Sequence, residues 1–279
     1  MLYEYEFDDF YVRHAIDEYP DPKKFSMHIH KVCEIYFFIS GDVRYRVEGS
    51  GYLLDENSLL IMRPAEAHSP NILSPKRYER FAAYFPISFI ESIDPEGRLV
   101  RMFREKQLGK NNLFTSAEID TKLIKSLFFK MVEDGDDYEK QLTIKTHLIY
   151  ILDMLMRAYR GREDAPDHTS KNVAIRMVAY VNEHLFENIT VPEIARHFYL
   201  SPSQFSRIFK QATGASPWEY VTKKRLTAVN ERINKGEAAR AAAEECGFGD
   251  YSSFYRAYTK HFGSSPSQDA ARRGDFYVK

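Results

Sequence analysis

Cysteine is nearly missing from this chain. Two in 279 residues, Cys33 and Cys246, rule out a disulfide framework and read as free thiols in a reducing cytosol. Long apolar runs are missing too: stretches such as Ile35 to Ile39 fall far short of the roughly 20 residues needed to span a bilayer. The opening residues Met1-Leu2-Tyr3-Glu4 carry acids rather than a basic region before an apolar core, so no secretory signal is expected. These absences together point to a cytoplasmic protein with no membrane partner. Strong charge of one sign is also lacking, since the net charge is −1. The near-zero total hides an asymmetry. Residues 171–279 hold 16 Lys+Arg against 11 Asp+Glu, and residues 1–170 hold 23 against 29. A basic half beside an acidic half suggests that one end meets phosphate. With 44% apolar and 28% charged residues the chain has room for about two ordinary domains.

What is present is a repeat. Phe205, Arg207, Phe209, Gly214 and Pro217 map without a gap onto Phe254, Arg256, Tyr258, Gly263 and Pro266, 49 residues later. Each copy follows a short helical segment and a tight turn, the layout of a helix-turn-helix reader. In the first copy Phe205, Ile208, Phe209 and Ala212 form a core stripe at i, i+3, i+4 and i+7. Ser203, Ser206, Arg207 and Lys210 occupy the opposite face and suit base edges or phosphate. In the second copy Phe254, Ala257 and Tyr258 point inward, while Ser252, Tyr255, Arg256 and Thr259 point outward. A solvated amphipathic helix explains one copy as well as a reader does, but two copies in register favour readers. Capping boxes at Thr190–Glu193, Ser201–Gln204, Ser216–Glu219 and Ser265–Gln268 mark helix starts.

The first half reads differently. Cys33–Ile39, Val43–Val47, Leu59–Met62 and Tyr78–Phe85 are strand-like, with a hairpin turn at Glu48-Gly49-Ser50-Gly51. Between Ser116 and Tyr159 the period becomes helical. Leu123, Leu127 and Met131 share one face, Ile144, Leu148, Ile151, Leu152 and Leu155 another, with Gly135-Asp136-Asp137 between them. This predicts a helical hairpin at 116–160 whose second stripe makes a homodimer; the alternative is that the stripe packs on its own barrel. Residues 161–170 (GREDAPDHTS) read as the linker between a domain at 1–160 and a DNA-binding domain at 171–279.

Ile194-Ala195, the run Leu200 to Lys210 and Thr213-Gly214 closely resemble the first reader of AraC/XylS-type transcription regulators. Glu244 to Asp250, then Ser252, Phe254 and Arg256, resemble the second. The resemblance covers about residues 172–272. It implies two readers joined by a linking helix, Pro217 to Asn234, entering successive major-groove segments. The Ala-rich run at Ala239 and Ala242, Tyr251, and Asp269-Ala270 depart from the family pattern and suggest a thinner core in the second reader.

His28, His30 and Glu34 share strand parity, with Gly41 seven residues beyond Glu34, and His68 could return a third imidazole from a neighbouring strand. This resembles the first cupin motif with a shortened second one. Three readings compete: a divalent metal held by His28, His30, Glu34 and His68; a small polar effector held by the same residues; or histidines that only hydrogen-bond inside a barrel. The preferred reading is an effector site of His28, His30, Glu34, Tyr36 and His68, without a cofactor. Tyr36 and Phe38 form its walls or else plain core, and the family resemblance points to a sugar. The expected fold is α+β and multidomain: a cupin-like β-barrel with a helical hairpin, then an all-α domain with two helix-turn-helix motifs. The expected function is a ligand-responsive regulator of carbohydrate-related genes, not an enzyme, whose partners are a double-stranded DNA operator, an effector, RNA polymerase and a second copy. The competing class is a cupin metalloenzyme with a helical appendage, in which the duplicated reader has no role.

Overall fold

The computed structural model describes residues 2–160, 162 and 172–271. The expected linker at 161–170 lies, Arg162 apart, outside the described residues. The chain first runs through β1 (Tyr3–Phe7), β2 (Phe10–Asp17), β3 (Cys33–Ser40), β4 (Val43–Val47), β5 (Ser50–Leu53), β6 (Leu59–Met62), β7 (His68–Ile72) and β8 (Tyr78–Phe85). Next come α1 (Ile87–Ile93), α2 (Arg101–Arg104), β9 (Leu113–Phe114), α3 (Thr121–Lys130) and α4 (Asp137–Arg160). The strands make a six-stranded sheet ordered β1-β2-β8-β3-β6-β9 and a three-stranded sheet ordered β5-β4-β7. All the named pairings are antiparallel.

The central strand β3 is buried along almost its whole length, because each face meets a different layer. Tyr36 and Phe38 join Tyr45 of β4 and Tyr78 and Tyr84 of β8 in a core between the two sheets. Ile35, Phe37 and Ile39 point the other way and join Ile124, Phe128 and the α4 residues. A strand with apolar residues at both parities therefore has no solvent face.

The dimer stripe is corrected here. Ile144, Leu148, Ile151, Leu152 and Leu155 are all buried within the chain's own core, on the outer face of the larger sheet. Surface helices normally bury one face, and α4 buries this one on its own barrel. Among the described residues no helix is long and apolar enough to cross a membrane.

The second half contains α5 (Val173–Glu183), α6 (Val191–His197), α7 (Pro202–Thr213), α8 (Pro217–Asn234), α9 (Ala239–Glu245), α10 (Tyr251–Phe262) and α11 (Pro266–Ala271). The linking helix has the expected bounds. The reciprocal caps form at Thr190, Ser201 and Ser265. At Ser216 only half a box exists: Ser216 accepts from the Glu219 amide, while the Glu219 carboxylate turns to Lys223 at 3.1 Å. The repeat's glycines have a local cause, since Gly214 and Gly263 both cap their helices with left-handed backbone (φ 84° and 74°).

The expected hairpin turn does more than reverse the chain. Glu48 and Gly49 both have positive φ, 49° and 83°, a pair suited to a two-residue hairpin. A β-carbon on Gly49 would sit 2.9 Å from Val178 Cγ2 of α5, so the tip is pressed against the helical domain. The buried Glu48 carboxylate then crosses the boundary. It accepts from the Ala67 amide (2.7 Å), Asn182 Nδ2 (2.9 Å), the Tyr220 hydroxyl and Lys224 Nζ (2.5 Å). Around it Met27, Ile29 and Ala67 pack with Met177, Val178, Phe209 and Tyr220 in one apolar cluster.

Two outcomes follow from this packing. Leu148→Ala and Leu155→Ala should each cost about 2–5 kcal/mol in urea unfolding, with no change of oligomeric state by light scattering. Burial alone would raise the Glu48 pKa, but Lys224 and the donated hydrogen bonds hold it below the usual carboxylate range. Its contribution is thus present above about pH 4.3, the unfolded glutamate value, and lost as pH falls through the lower folded pKa. Glu48→Ala should cost about 3–5 kcal/mol by stranding Lys224. It should also split thermal unfolding into two calorimetric transitions at neutral pH; one unchanged transition would refute the clasp.

Candidate functional site

The cupin-like residues converge, though not along one strand. β3 begins only at Cys33, and His28 forms an isolated bridge with His68 of β7, in the smaller sheet. The chain turns between them, so the parity expected of a single strand is replaced by a loop that folds back. His30 Nε2 and His68 Nε2 both lie 2.9 Å from Glu34 Oε2. The His28 and His68 ring centroids are 4.2 Å apart.

The three imidazoles are oriented in the same way. Nδ1 faces a backbone carbonyl in each: Ser26 O at 3.2 Å from His28, Val32 O at 2.9 Å from His30, and Glu66 O at 2.7 Å from His68. An Nδ1–H donated to a carbonyl leaves Nε2 as the inward atom. Burial, with His68 beside it, pushes the His28 pKa down to about 3. Burial likewise lowers His30. For His68 burial opposes charging, but the Glu34 carboxylate wins and raises its pKa. Burial would raise Glu34, yet His68 and the bonds from both imidazoles hold it well below the ordinary range. The Glu34 carboxylate is thus bracketed by the His30 and His68 rings, with His28 beside His68.

Of these residues His28 and Glu34 line a cavity of about 340 Å³ between the sheets, together with Tyr36, Tyr45, Tyr78 and Tyr84, while His30 and His68 stand behind Glu34 and are not part of its lining. Tyr36 lines it as expected. Phe38 does not: it packs in the core against Tyr78 and Gly41. Three further cavity residues carried no sequence motif. Arg13, Arg80 and Asp17 reach the cavity or its rim from β2 and β8, where alternation with apolar residues was their only signal. Glu48 and Lys224 were equally silent, because a carboxylate in a turn and a lysine on a helix read as solvated groups.

The two readers differ in how their outer faces are presented. On α7, Ser203, Arg207 and Lys210 are exposed and Ser206 is half-buried, while Phe205 and Phe209 are buried. On α10, Ser252, Tyr255 and Arg256 are exposed, and Arg256 donates to Ser253 Oγ at 3.2 Å. Thr259 is a correction: it is half-buried and its hydroxyl is enclosed rather than turned outward. It lies one residue past Tyr258, close to the buried stripe. The second core is closed by compensation. Tyr258 replaces the first copy's Phe209, and its hydroxyl donates to Asp269 Oδ2 at 2.7 Å, with Asn230 Nδ2 donating to that hydroxyl at 2.6 Å. Asp269, a departure from the family pattern, is thus the acceptor that a buried phenol needs.

Residues 10–112 match the family described as AraC-like ligand binding domain, and residues 194–272 match the family described as Helix-turn-helix domain. The chain belongs to the AraC/XylS family of transcription regulators. This AraC/XylS regulator is 22% identical over 245 residues to the uncharacterized HTH-type transcriptional regulator YfiF of Bacillus subtilis, covering 86% of this chain and 77% of that one. It is 26% identical over 145 residues to the HTH-type transcriptional activator RhaS of Citrobacter koseri, about half of each chain. A solved structure of ToxT from Vibrio cholerae aligns over 94% of this chain and 98% of that chain, with 13% identity and a TM-score of 0.40.

Arg207→Ala and Arg256→Ala should each weaken operator binding by about 1–3 kcal/mol and relax preference at one position if the guanidinium reads a base edge. Equal loss on every sequence, with a shallower salt slope in a binding titration, would assign them to phosphate.

Proposed function

We propose that this family member is a ligand-responsive, sequence-specific DNA-binding regulator, acting in the cytoplasm with RNA polymerase and a second copy as further partners. The observation that carries the reading is an alternation of contacts. Ser26 and His28 line the cavity, while Met27 between them and Ile29 after them pack on the helical domain. Lys223 Nζ of α8 also donates to Met27 O at 2.7 Å. His68 and Ala67 divide in the same way, one among the cavity imidazoles and one in the interface. A ligand that moves His28 therefore displaces residues that touch the linking helix. Ser203, Ser206, Arg207 and Lys210, with Ser252, Tyr255 and Arg256, are the groups offered to DNA. The family resemblance supports carbohydrate-related genes as targets.

A second reading has its own observation. Three Nδ1 atoms tied to carbonyls leave the Nε2 atoms as the free ring nitrogens, and those of His30 and His68 lie 2.9 Å from Glu34, the arrangement that orients histidines toward a metal. The ligand atoms of His28, Glu34 and His68 lie within 4.8 Å of one another. These residues fit a divalent transition metal, which would hold and polarise an oxygen-bearing effector.

Footprinting of the full chain on the DNA upstream of its own gene, with and without candidate effectors, tests the first reading. Protection of two successive major-groove segments on one face is expected, with affinity altered by an effector; protection indifferent to any of them would refute ligand response. Elemental analysis tests the second. Near-stoichiometric metal in protein purified without added metal would support it, and metal-free protein that still responds to effector would end it.

A further inference from the structure

The cavity carries a guanidinium that no carboxylate among the described residues pairs with directly. On β2, Val12 turns to the outer core while Tyr11 and Arg13 turn inward, and Arg13 lies opposite the small Ala82 of β8. The Arg13 guanidinium lines the cavity, and its Nε is enclosed without a hydrogen-bond partner. It is near the Tyr11 hydroxyl, but among the described residues no carboxylate oxygen comes within ion-pair distance of it. The two carboxylates at the cavity are already engaged: Asp17 pairs with Arg80, and Glu34 with the imidazoles of His30 and His68. Arginine does not discharge in proteins. A partly enclosed guanidinium is costly unless its N–H groups are hydrogen-bonded and its charge is paired. Glu34 and nearby phenols favour the Arg13 charge from a distance, yet its Nε has no acceptor and among the described residues no carboxylate pairs with it.

We propose that the barrel cavity receives a small organic carboxylate whose two oxygens pair with Arg13. The inference rests on the effector reading above and names the ligand's chemical class. The planar guanidinium matches a carboxylate with two parallel hydrogen bonds. The remaining walls fit an organic body: the rings of Phe25, Tyr36, Tyr45 and Tyr78 offer apolar faces, and the phenol hydroxyls offer polar contacts. Among carbohydrates this selects a sugar acid over the neutral sugar.

The test uses the full chain and two isosteric or near-isosteric probe pairs, benzoate with benzamide and glucuronate with glucose, with inorganic phosphate as a further anion. Calorimetric titration should show at least one carboxylate binding 10-fold or more tighter than its neutral partner. Arg13→Gln should abolish that preference, and Arg13→Lys should keep part of it; far-UV circular dichroism checks that each variant is folded. The wild-type comparison needs no variant. Equal affinity within both pairs, binding of phosphate alone, no binding by either carboxylate, or a preference that survives Arg13→Gln would overturn the proposal. Operator affinity measured with the same probes separates the two readings. Glucose that binds and changes operator affinity defeats the anion assignment and leaves the effector reading standing. A carboxylate that binds through Arg13 without changing operator affinity does the reverse.

Discussion

A carboxylate placed out of water must be given nearly everything water gave it, and Glu48 is built on that constraint. Its two oxygens take four donors, three of them from α5 and α8 and one from the backbone of Ala67. The donors cannot be supplied by either half of the chain alone, so folding of the barrel and docking of the helical domain become one requirement. The residue also sits in left-handed backbone, which a side chain other than glycine adopts at a cost of order 1–3 kcal/mol. Such a conformation persists only where its surroundings over-determine it. Here a glycine follows that leaves no room for a β-carbon against Val178, and the α8 cation closes the set.

A second buried carboxylate braces the same hairpin from behind. Glu66 accepts from the Arg63, Gly109 and Asn112 nitrogens and from Lys106 Nζ at 2.5 Å, tying the loop before β9 to the turn before β7. Gly109 is obligatory there, because a β-carbon would fall 2.7 Å from Val47 O. Neighbouring residues then face opposite ways: Ala67 packs against the helices and His68 stands among the imidazoles. The loop at residues 26–29 repeats the division. Residues that line the cavity and residues that pack on the helical domain therefore alternate within the same short segments.

Most of the fold was legible because its causes are local. Ser-Pro and Thr-Val-Pro starts and left-handed glycines at helix ends, rules that act within four residues, together with the 49-residue repeat mark α6, α7, α8, α10 and α11. The strands β4, β6 and β8 have the expected bounds for the same reason. The departure at Asp269 was visible as a departure, but its explanation, the buried Tyr258 hydroxyl, is a contact between two helices. The cavity histidines were legible by type and spacing. The strand parity offered for them was not the reason they meet.

The sequence alone determined which faces are apolar, where helices start and stop, that a reader is duplicated, and which imidazoles and carboxylate could share a site. Tertiary structure alone decided what each face covers. The α4 stripe has the same period whether it meets a second copy or its own sheet, and only the stacking of the larger sheet on α3 and α4 assigns it to the core. Charge pairing is likewise non-local. Glu48 and Lys224 are 176 residues apart and meet at 2.5 Å, whereas Arg13 enters the cavity with no carboxylate within ion-pair distance among the described residues. Periodicity reports the direction of a side chain, but the energy of a buried charge depends on what the rest of the chain brings to it.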